Sequence, residues 1–400
     1  MKEKFVYIKA LTLIMIFLFN FKNISNIYLF LTYLESQIEF ELIDFYSKYC
    51  NNQQTIKQFK KIDEPKISII SPVYNREKYI LRFIKSIELQ NFRDLEILFV
   101  DDNSSDNSVK LIKKYMNEDK RIKLIKNRKN RGTFKLRNIG ALYSKGKYVI
   151  IPDPDDIISN NILSVCYNFA EKYSYDFIRF NTYIGKRHLF LENFAKNHED
   201  RPIYQPELST YIFYGNKDIK MVDYHITNKF IKKHIYIKAL NSLNIFYLNI
   251  YMTRMEDQIM NFLIYRIAKS FYYINIIGYQ YFRSSESITS KQLSSESYLK
   301  FIFYYLKFIF EYSKNTKCEK EMANHLLTKI YKGYNIKGYI SSLVFNNDEF
   351  SFYLKVLDMY LNCTFIDDNN KLIVQKLKNI IENKKKYFLS LSTNRIIKRE

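Results

Sequence analysis

An α/β fold with a mostly parallel central sheet, covered by helices on both faces, is predicted for this 400-residue chain by three observations. From Lys66 to Arg179, short apolar runs alternate with stretches of helical period. Three of the apolar runs end in polar clusters: Pro72-Val-Tyr74-Asn75, Asp101-Asp102-Asn103 and Asp153-Pro-Asp155-Asp156. The runs follow one another as successive β-α-β units, which imply parallel strands with the connecting helices on the faces. Ligands of such sheets bind beyond the carboxyl ends of the strands, so the three clusters are expected to share one crevice.

The elements follow in order. Lys2, Lys4 and Lys9 precede an apolar run from Ala10 to Phe19, interrupted only by Thr12. No small-residue cleavage site follows, so an uncleaved single-pass anchor over residues 1–30 fits better than a removed signal peptide. The run is short for a full span, and a buried N-terminal helix is the alternative. Residues 31–65 turn polar and read as a stem. The main domain, 66–290, opens with a strand at Ile67–Ser71, ended by Pro72. Ile80, Phe83, Ile84 and Ile87 then mark one face of a helix. Leu95 to Val100 is a strand closed by the Asp101–Ser105 turn, whose side chains suit a helix start. Val109, Ile112 and Met116 give that helix its buried face, and Ile122–Ile125 is the next strand. A helix over Thr133–Ser144 leads to the strand at Tyr148 and the acidic turn. Beyond 290, residues 291–400 form a helical extension. Its aromatic stretch Tyr298–Tyr312 reads as a helix packed on the main domain, with a membrane-surface helix as the sharper alternative.

The acidic turn carries the chemistry. Three carboxylates within four positions repel one another unless a cation lies among them. Mg²⁺ or Mn²⁺ suits one or two carboxylates plus the oxygens of a substrate phosphate. A solvated acidic loop is the plain alternative. Neither a Gly-x-Gly-x-x-Gly fingerprint nor a Gly-Lys-Ser/Thr P-loop occurs, which removes the usual dinucleotide and NTP-loop readings.

Composition adds less. The net charge of +22 points to an anionic partner, but Lys, Asn, Ile, Tyr and Phe dominate and there is no Trp, the pattern of an AT-rich coding bias. The basic runs at Lys123–Arg137 and Lys384–Lys386 lack the spacing of a nucleic-acid module, so no nucleic-acid partner is expected. Cys50, Cys166, Cys318 and Cys363 form no C-x-x-C pair, which argues against a zinc site.

The motifs together resemble the inverting family 2 glycosyltransferases. The resemblance rests on I-S-I-I-S-P-V-Y-N-R-E at Ile67–Glu77, S-I-E-L-Q-N-F-R-D-L-E-I-L-F-V-D-D-N-S-S-D at Ser86–Asp106, N-R-G-T-F-K-L-R-N-I-G at Asn130–Gly140 and K-G-K-Y-V-I-I-P-D-P-D-D at Lys145–Asp156. It implies a GT-A fold and a nucleotide-sugar donor, with UDP as the expected nucleotide. Pro72, Tyr74 and Asn75 resemble the base-side loop, with Tyr74 packing on the base. Asp102, with Asp101 beside it, resembles the carboxylate that reads base or ribose, and Arg137 the basic residue of the donor-pocket helix. Asp153, Asp155 and Asp156 resemble the metal and phosphate motif, with Asp156 matching the more direct ligand. Glu256-Asp257 resembles the acidic pair that supplies the catalytic base, with Asp257 first. The stripe Ile259, Phe262 and Leu263 is expected to turn that pair away from the core. Ile226 to Lys233 resembles a segment framing the acceptor side. Arg283, in a Y-x-Y-F-R-S-S-E-S-I-T tail, is expected to reach the diphosphate. Pro154 and Asn103 depart from the pattern, standing where small residues and Gly are frequent. Asn103-Ser-Ser is also a glycosylation sequon inside the donor loop, which argues against a lumenal domain unless it stays unused.

The expectation is therefore a hexosyltransferase-type enzyme, metal-dependent and inverting. It would move a sugar to a hydroxyl of a glycan, glycolipid, glycoprotein or lipid-linked acceptor, and be held at a membrane by its N-terminus (the ER or Golgi lumen in a eukaryote). The alternatives are an inactive sugar-nucleotide-binding scaffold and a basic nucleic-acid- or lipid-binding protein.

Overall fold

The computed structural model describes residues 59–184, 190–191, 201–208, 225–282, 295–312, 324, 327, 347–364 and 366–397. The expected anchor, most of the stem, and Arg283 lie outside the described residues. Those described form two compact units, one reaching to residue 208 and including 225–282, the other holding 295–397.

The first unit begins as the sequence predicts. Strand β1 (Ile67–Val73) leads to α1 (Glu77–Glu88), β2 (Leu95–Asp101), α2 (Ser108–Glu118), β3 (Ile122–Lys126), α3 (Thr133–Tyr143) and β4 (Tyr148–Ile150). Every residue of β1, β2 and β4 is buried, as expected of parallel strands covered on both faces. β1 continues through Pro72 instead of ending there. Its ladder with β4 covers only Ile67–Ile69, so Pro72 lies where one side of the strand no longer needs an N–H donor. Register sets the crevice: Val73 pairs with Asp101, and Ile69 with Ile150. The polar residues that follow β1, β2 and β4 therefore leave the sheet at one end. Helix α3 lies close on this end because it has Gly140, where a Cβ would sit 2.2 Å from the Ile70 side chain.

The second half of the unit corrects the mostly parallel expectation. It contains β5 (Ile157–Ile158), α4 (Ile162–Tyr173), β6 (Phe177–Ile184), β7 (Phe190–Leu191), β8 (Ile203–Tyr204), β9 (Lys229–Lys232), α5 (Lys233–Asn241), α6 (Ile245–Asn249), α7 (Glu256–Ile267) and β10 (Ser270–Tyr281). The sheet order is β3-β2-β1-β4-β9-β6-β10-β5, with β7 on β6 and β8 on β10. β9 runs antiparallel to both β4 and β6, β10 runs parallel to β6, and β5, β7 and β8 pair antiparallel. The sheet is thus mixed. Strands of two to four residues carry too few alternations to reveal direction in sequence. Helix α7 is buried nearly all round, from Ile259 to Tyr265, so its apolar stripe does not by itself turn the acidic pair outward.

The second unit contains α8 (Ser295–Tyr312), α9 (Asn347–Leu361) and α10 (Asp368–Ile397). Phe303 packs against Tyr353 with ring centroids 4.3 Å apart, and Tyr360 donates to the Leu306 carbonyl at 2.6 Å. Among the described residues, no helix is long and apolar enough to cross a membrane.

Candidate active site

Backbone bonds bring the first two polar clusters together. The Asp102 N–H donates to the Val73 carbonyl at 2.8 Å, setting Tyr74 beside the β2 end. Tyr74 is 46 % exposed, leaving a flat apolar face open to a ligand. Asn75 adopts φ +53° and is tied to the β2 loop: its N–H donates to Ser104 Oγ at 3.0 Å, and its Oδ1 accepts from Ser105 N at 2.9 Å. Asp101 is fully buried and accepts from Ser104 N. Asn75, which is part-buried, and Asp101 thus both tie down the loop beside the crevice.

Asp102 is buried too. Its carboxylate accepts from Arg131 N and Gly132 N at 2.8 Å each, and from Asn127 Nδ2 at 3.2 Å. Those bonds fix the loop that starts α3. Gly132, at φ +85°, closes against the segment before α7, where a Cβ would come within 2.8 Å of the Met252 carbonyl oxygen and 3.2 Å of the Tyr251 ring. Tyr251 is half-exposed, and its hydroxyl pKa is raised by burial and then by the neighbouring Asp102 and Tyr74. Tyr251 thus lies by the base-side loop, unmarked in the sequence by any motif.

The acidic turn is built around a buried brace. The Tyr279 hydroxyl donates to Asp156 Oδ2 at 2.5 Å and accepts from Asp153 N at 3.0 Å, while Phe282 N donates to Asp156 Oδ1 at 2.8 Å. Asp156, expected as the more direct metal ligand, is buried with both carboxylate oxygens engaged. The more open carboxylates are Asp153, 29 % exposed, and Asp155, 13 %. Burial, then the charges of Asp155 and Asp153, push Asp156 well above the usual carboxylate range. Burial and Asp153 push Asp155 up to about 6, against the pull of Arg76. Ionised together, these carboxylates would lie close enough to repel one another, and a divalent cation among them would suit that charge. Among the described residues no three His, Cys, Asp or Glu side chains form a ready-made metal cage. The fit is to one or two carboxylates with the remaining ligands supplied by a diphosphate.

Arg137, on α3, joins this turn to the acidic pair. Its Nη2 lies 2.9 Å from Asp153 Oδ1, and its Nη1 contacts Glu256 Oε1 at 3.4 Å and Asp257 Oδ1 more closely. Burial would lower the guanidinium pKa, but Asp257, Asp153 and Glu256 outweigh it and raise it well above its ordinary value. Glu256 is buried and, through burial and the Asp257 charge, is pushed up to about 7 despite Arg137. Asp257 is the more open of the two, at 20 % against 8 %. Both follow Met255 at φ +65°, a conformation uncommon for a non-glycine residue and frequent at functional sites. Asn228 and Lys229, in the segment expected to frame the acceptor side, are fully buried.

These raised carboxylates predict a pH response. A carboxyl with a folded pKa above its unfolded one adds stability below the unfolded value, and that contribution is lost as pH rises through the folded value. For Asp155 and Glu256 the loss falls on the way to about 6 and about 7. The ligand-free protein should melt higher near pH 5.5 than near pH 7.5, and Glu256→Gln should shrink the difference. His234, its pKa lowered by burial, acts in the opposite direction. Melting curves at the two pH values check this; a native chain that melts lower in acid would contradict it.

Fold and site define the class: a GT-A-like α/β domain with an acidic turn and an acidic helix start at one end of its sheet. Residues 68–240, somewhat under half of the chain, match the family model described as glycosyl transferase family 2. Glycosyltransferase GlyG of Streptococcus pneumoniae serotype 4 is 32 % identical over 117 residues, 29 % of this chain and 39 % of that protein. The GalNAc(5)-diNAcBac-PP-undecaprenol β-1,3-glucosyltransferase of Campylobacter jejuni is 38 % identical over 101 residues, 25 % of this chain and 33 % of it. The chain thus spans well under half the length of these curated relatives. In fold it is similar to S. aureus TarS 1–349, crystallised with UDP-GlcNAc, at a TM-score of 0.58 and 17 % identity, covering 82 % of this chain and 92 % of that one.

Proposed function

We propose that the protein is a metal-dependent, inverting glycosyltransferase that moves a hexose from a UDP-sugar to a hydroxyl of a glycan or lipid-linked acceptor. The observation that carries this reading is the Arg137 bridge, which ties Asp153 of the acidic turn to Glu256 and Asp257 in one cluster. The residues proposed for the donor phosphates and for the proton acceptor thereby belong to one cluster, and an inverting displacement would place the anomeric carbon between them, with base and leaving group on opposite faces. TarS, with the same fold, was crystallised with UDP-GlcNAc and UDP, which supports the choice of nucleotide.

The residues divide the work. Tyr74 offers its ring face to the base, and Asp102 holds the 127–132 loop beside it. Asp155 and Asp153 would hold Mn²⁺ or Mg²⁺, with Asp156 and Tyr279 keeping the turn rigid. The ion, when bound, neutralises charge on the departing diphosphate. Asp257 accepts the acceptor hydroxyl proton as that oxygen attacks the anomeric carbon from the face opposite the leaving group. Glu256, with its raised pKa, enters protonated near pH 7 more readily than its neighbour's position would allow if both were charged. Attachment to a membrane through residues 1–30, with Arg283 reaching the diphosphate, belongs to the same proposal.

The direct test is hydrolysis and transfer across a panel of sugar nucleotides, with and without Mn²⁺. Metal-stimulated release of UDP from at least one donor is expected. A chain that neither binds nor turns over any donor overturns the reading. Donor binding without turnover would instead favour the inactive scaffold.

A further inference from the structure

The acidic turn has a second cationic neighbour. Arg76 stands at the start of α1. Its Nη1 donates to the carbonyls of Tyr74 and Asn75 at 3.2 and 3.1 Å, and its Nε lies 3.7 Å from Asp155 Oδ2. Both side chains are largely buried, at 12 % and 13 % exposure. Arg82, further along α1, holds the same residue differently. Its Nη2 donates to the Asp155 carbonyl at 2.6 Å, and its guanidinium lies 3.8 Å over the Phe282 ring. Arg82 thus anchors the backbone of Asp155, while Arg76 meets its carboxylate.

We propose that Arg76 is a built-in counter-ion, holding the Asp155 carboxylate until a divalent cation arrives with the donor diphosphate, and then pairing with the diphosphate itself. The inference rests on the metal-dependent donor site proposed above. The approach, Nε to Oδ2 at 3.7 Å, is too long for the two parallel bonds of a strong arginine–carboxylate fork, so the contact exchanges readily. Asp153 is already matched by Arg137, and Arg76 makes the ion pair with Asp155, the other open carboxylate, while the Arg82 charge acts on it from further off. A cation held at Asp155 would repel Arg76, and a diphosphate bound with it would offer the guanidinium a new anionic partner. The carbonyls of Tyr74 and Asn75 keep the guanidinium on the base side during the exchange. A cation alone must displace Arg76 without offering it a new partner; a cation with diphosphate offers one.

The test measures Mn²⁺ binding to the full chain from the signal of free Mn²⁺, with and without UDP, for the native protein, Arg76→Gln and Arg76→Lys. Arg76→Gln should bind Mn²⁺ alone roughly fivefold tighter, the scale of one weak ion pair without a hydrogen bond. The same variant should bind UDP several-fold more weakly at saturating Mn²⁺. Arg76→Lys, which keeps the charge, should stay near the native metal affinity. Simple damage to the turn would weaken both ligands, so opposite signs separate the two causes. If native protein binds Mn²⁺ with UDP but Arg76→Gln leaves the metal affinity unchanged or weaker, the inference falls alone. If native protein binds no Mn²⁺ even with UDP, the metal reading falls and takes the inference with it.

Discussion

Asp257→Asn should reduce sugar transfer by about 10²–10⁴-fold, the range attributed to a positioned general base, while leaving UDP affinity close to native. Asp257 is the more open member of the acidic pair, with Oδ1 on Arg137 and Oδ2 3.4 Å from the Ile226 N–H. Asparagine keeps the shape and an acceptor oxygen for either partner but has no site for the hydroxyl proton. The loss should therefore appear in kcat rather than in donor binding, which calorimetry with UDP and Mn²⁺ separates from turnover. Glu256 differs in kind. It is buried and inclined to hold a proton, so Glu256→Gln should cost far less activity than Asp257→Asn. If Asp257→Asn transfers sugar at a near-native rate, the base lies elsewhere.

What the sequence reveals and what it hides follow one physical division. Periodicity and strand-end chemistry are local, and they place β1 to β4, the Asp101-Asp102 and Asp153–Asp156 turns, and the Glu256-Asp257 helix start. Partnership across the chain is not local. Nothing in the spacing of Lys135 and Arg137 says that the second reaches three carboxylates, two of them more than a hundred residues away. Tyr279 opens the tail that contains Arg283, where nothing local marks its hydroxyl; that it braces both Asp153 and Asp156 depends on how β10 enters the sheet. The same applies to Tyr251, brought to the base-side loop by the close approach at Gly132. Glu256 shows the opposite failure. An acidic first turn suggests a solvated face favoured by the helix dipole, whereas tertiary packing buries it beside a guanidinium.

Removal of that guanidinium is the most damaging single change the site offers. Arg137→Met should destabilise the protein by about 3–5 kcal/mol, the range for breaking a buried ion pair by deleting one partner. The reason lies in what remains. Asp153, Glu256 and Asp257 would face one another around an apolar side chain, and burial together with the Asp257 charge already raises Glu256. Arg137→Lys should rescue only part, because a single ammonium cannot present a planar fork to three carboxylates. The damage should also depend on pH with a definite sign. Without Arg137 the already raised Glu256 loses the charge that opposes the rise, so its proton binds the folded state more tightly, and the stability deficit should shrink as pH falls from about 7.5 to about 5.5. Denaturant midpoints of the native chain, Arg137→Met and Arg137→Met with Glu256→Gln, taken at both pH values, test each step. The double variant should recover part of the loss at the higher pH, since it removes one of the stranded charges. If Arg137→Met unfolds at the native midpoint at both pH values, the bridge does not hold the site together, and the link between the acidic turn and the base must be sought in other residues.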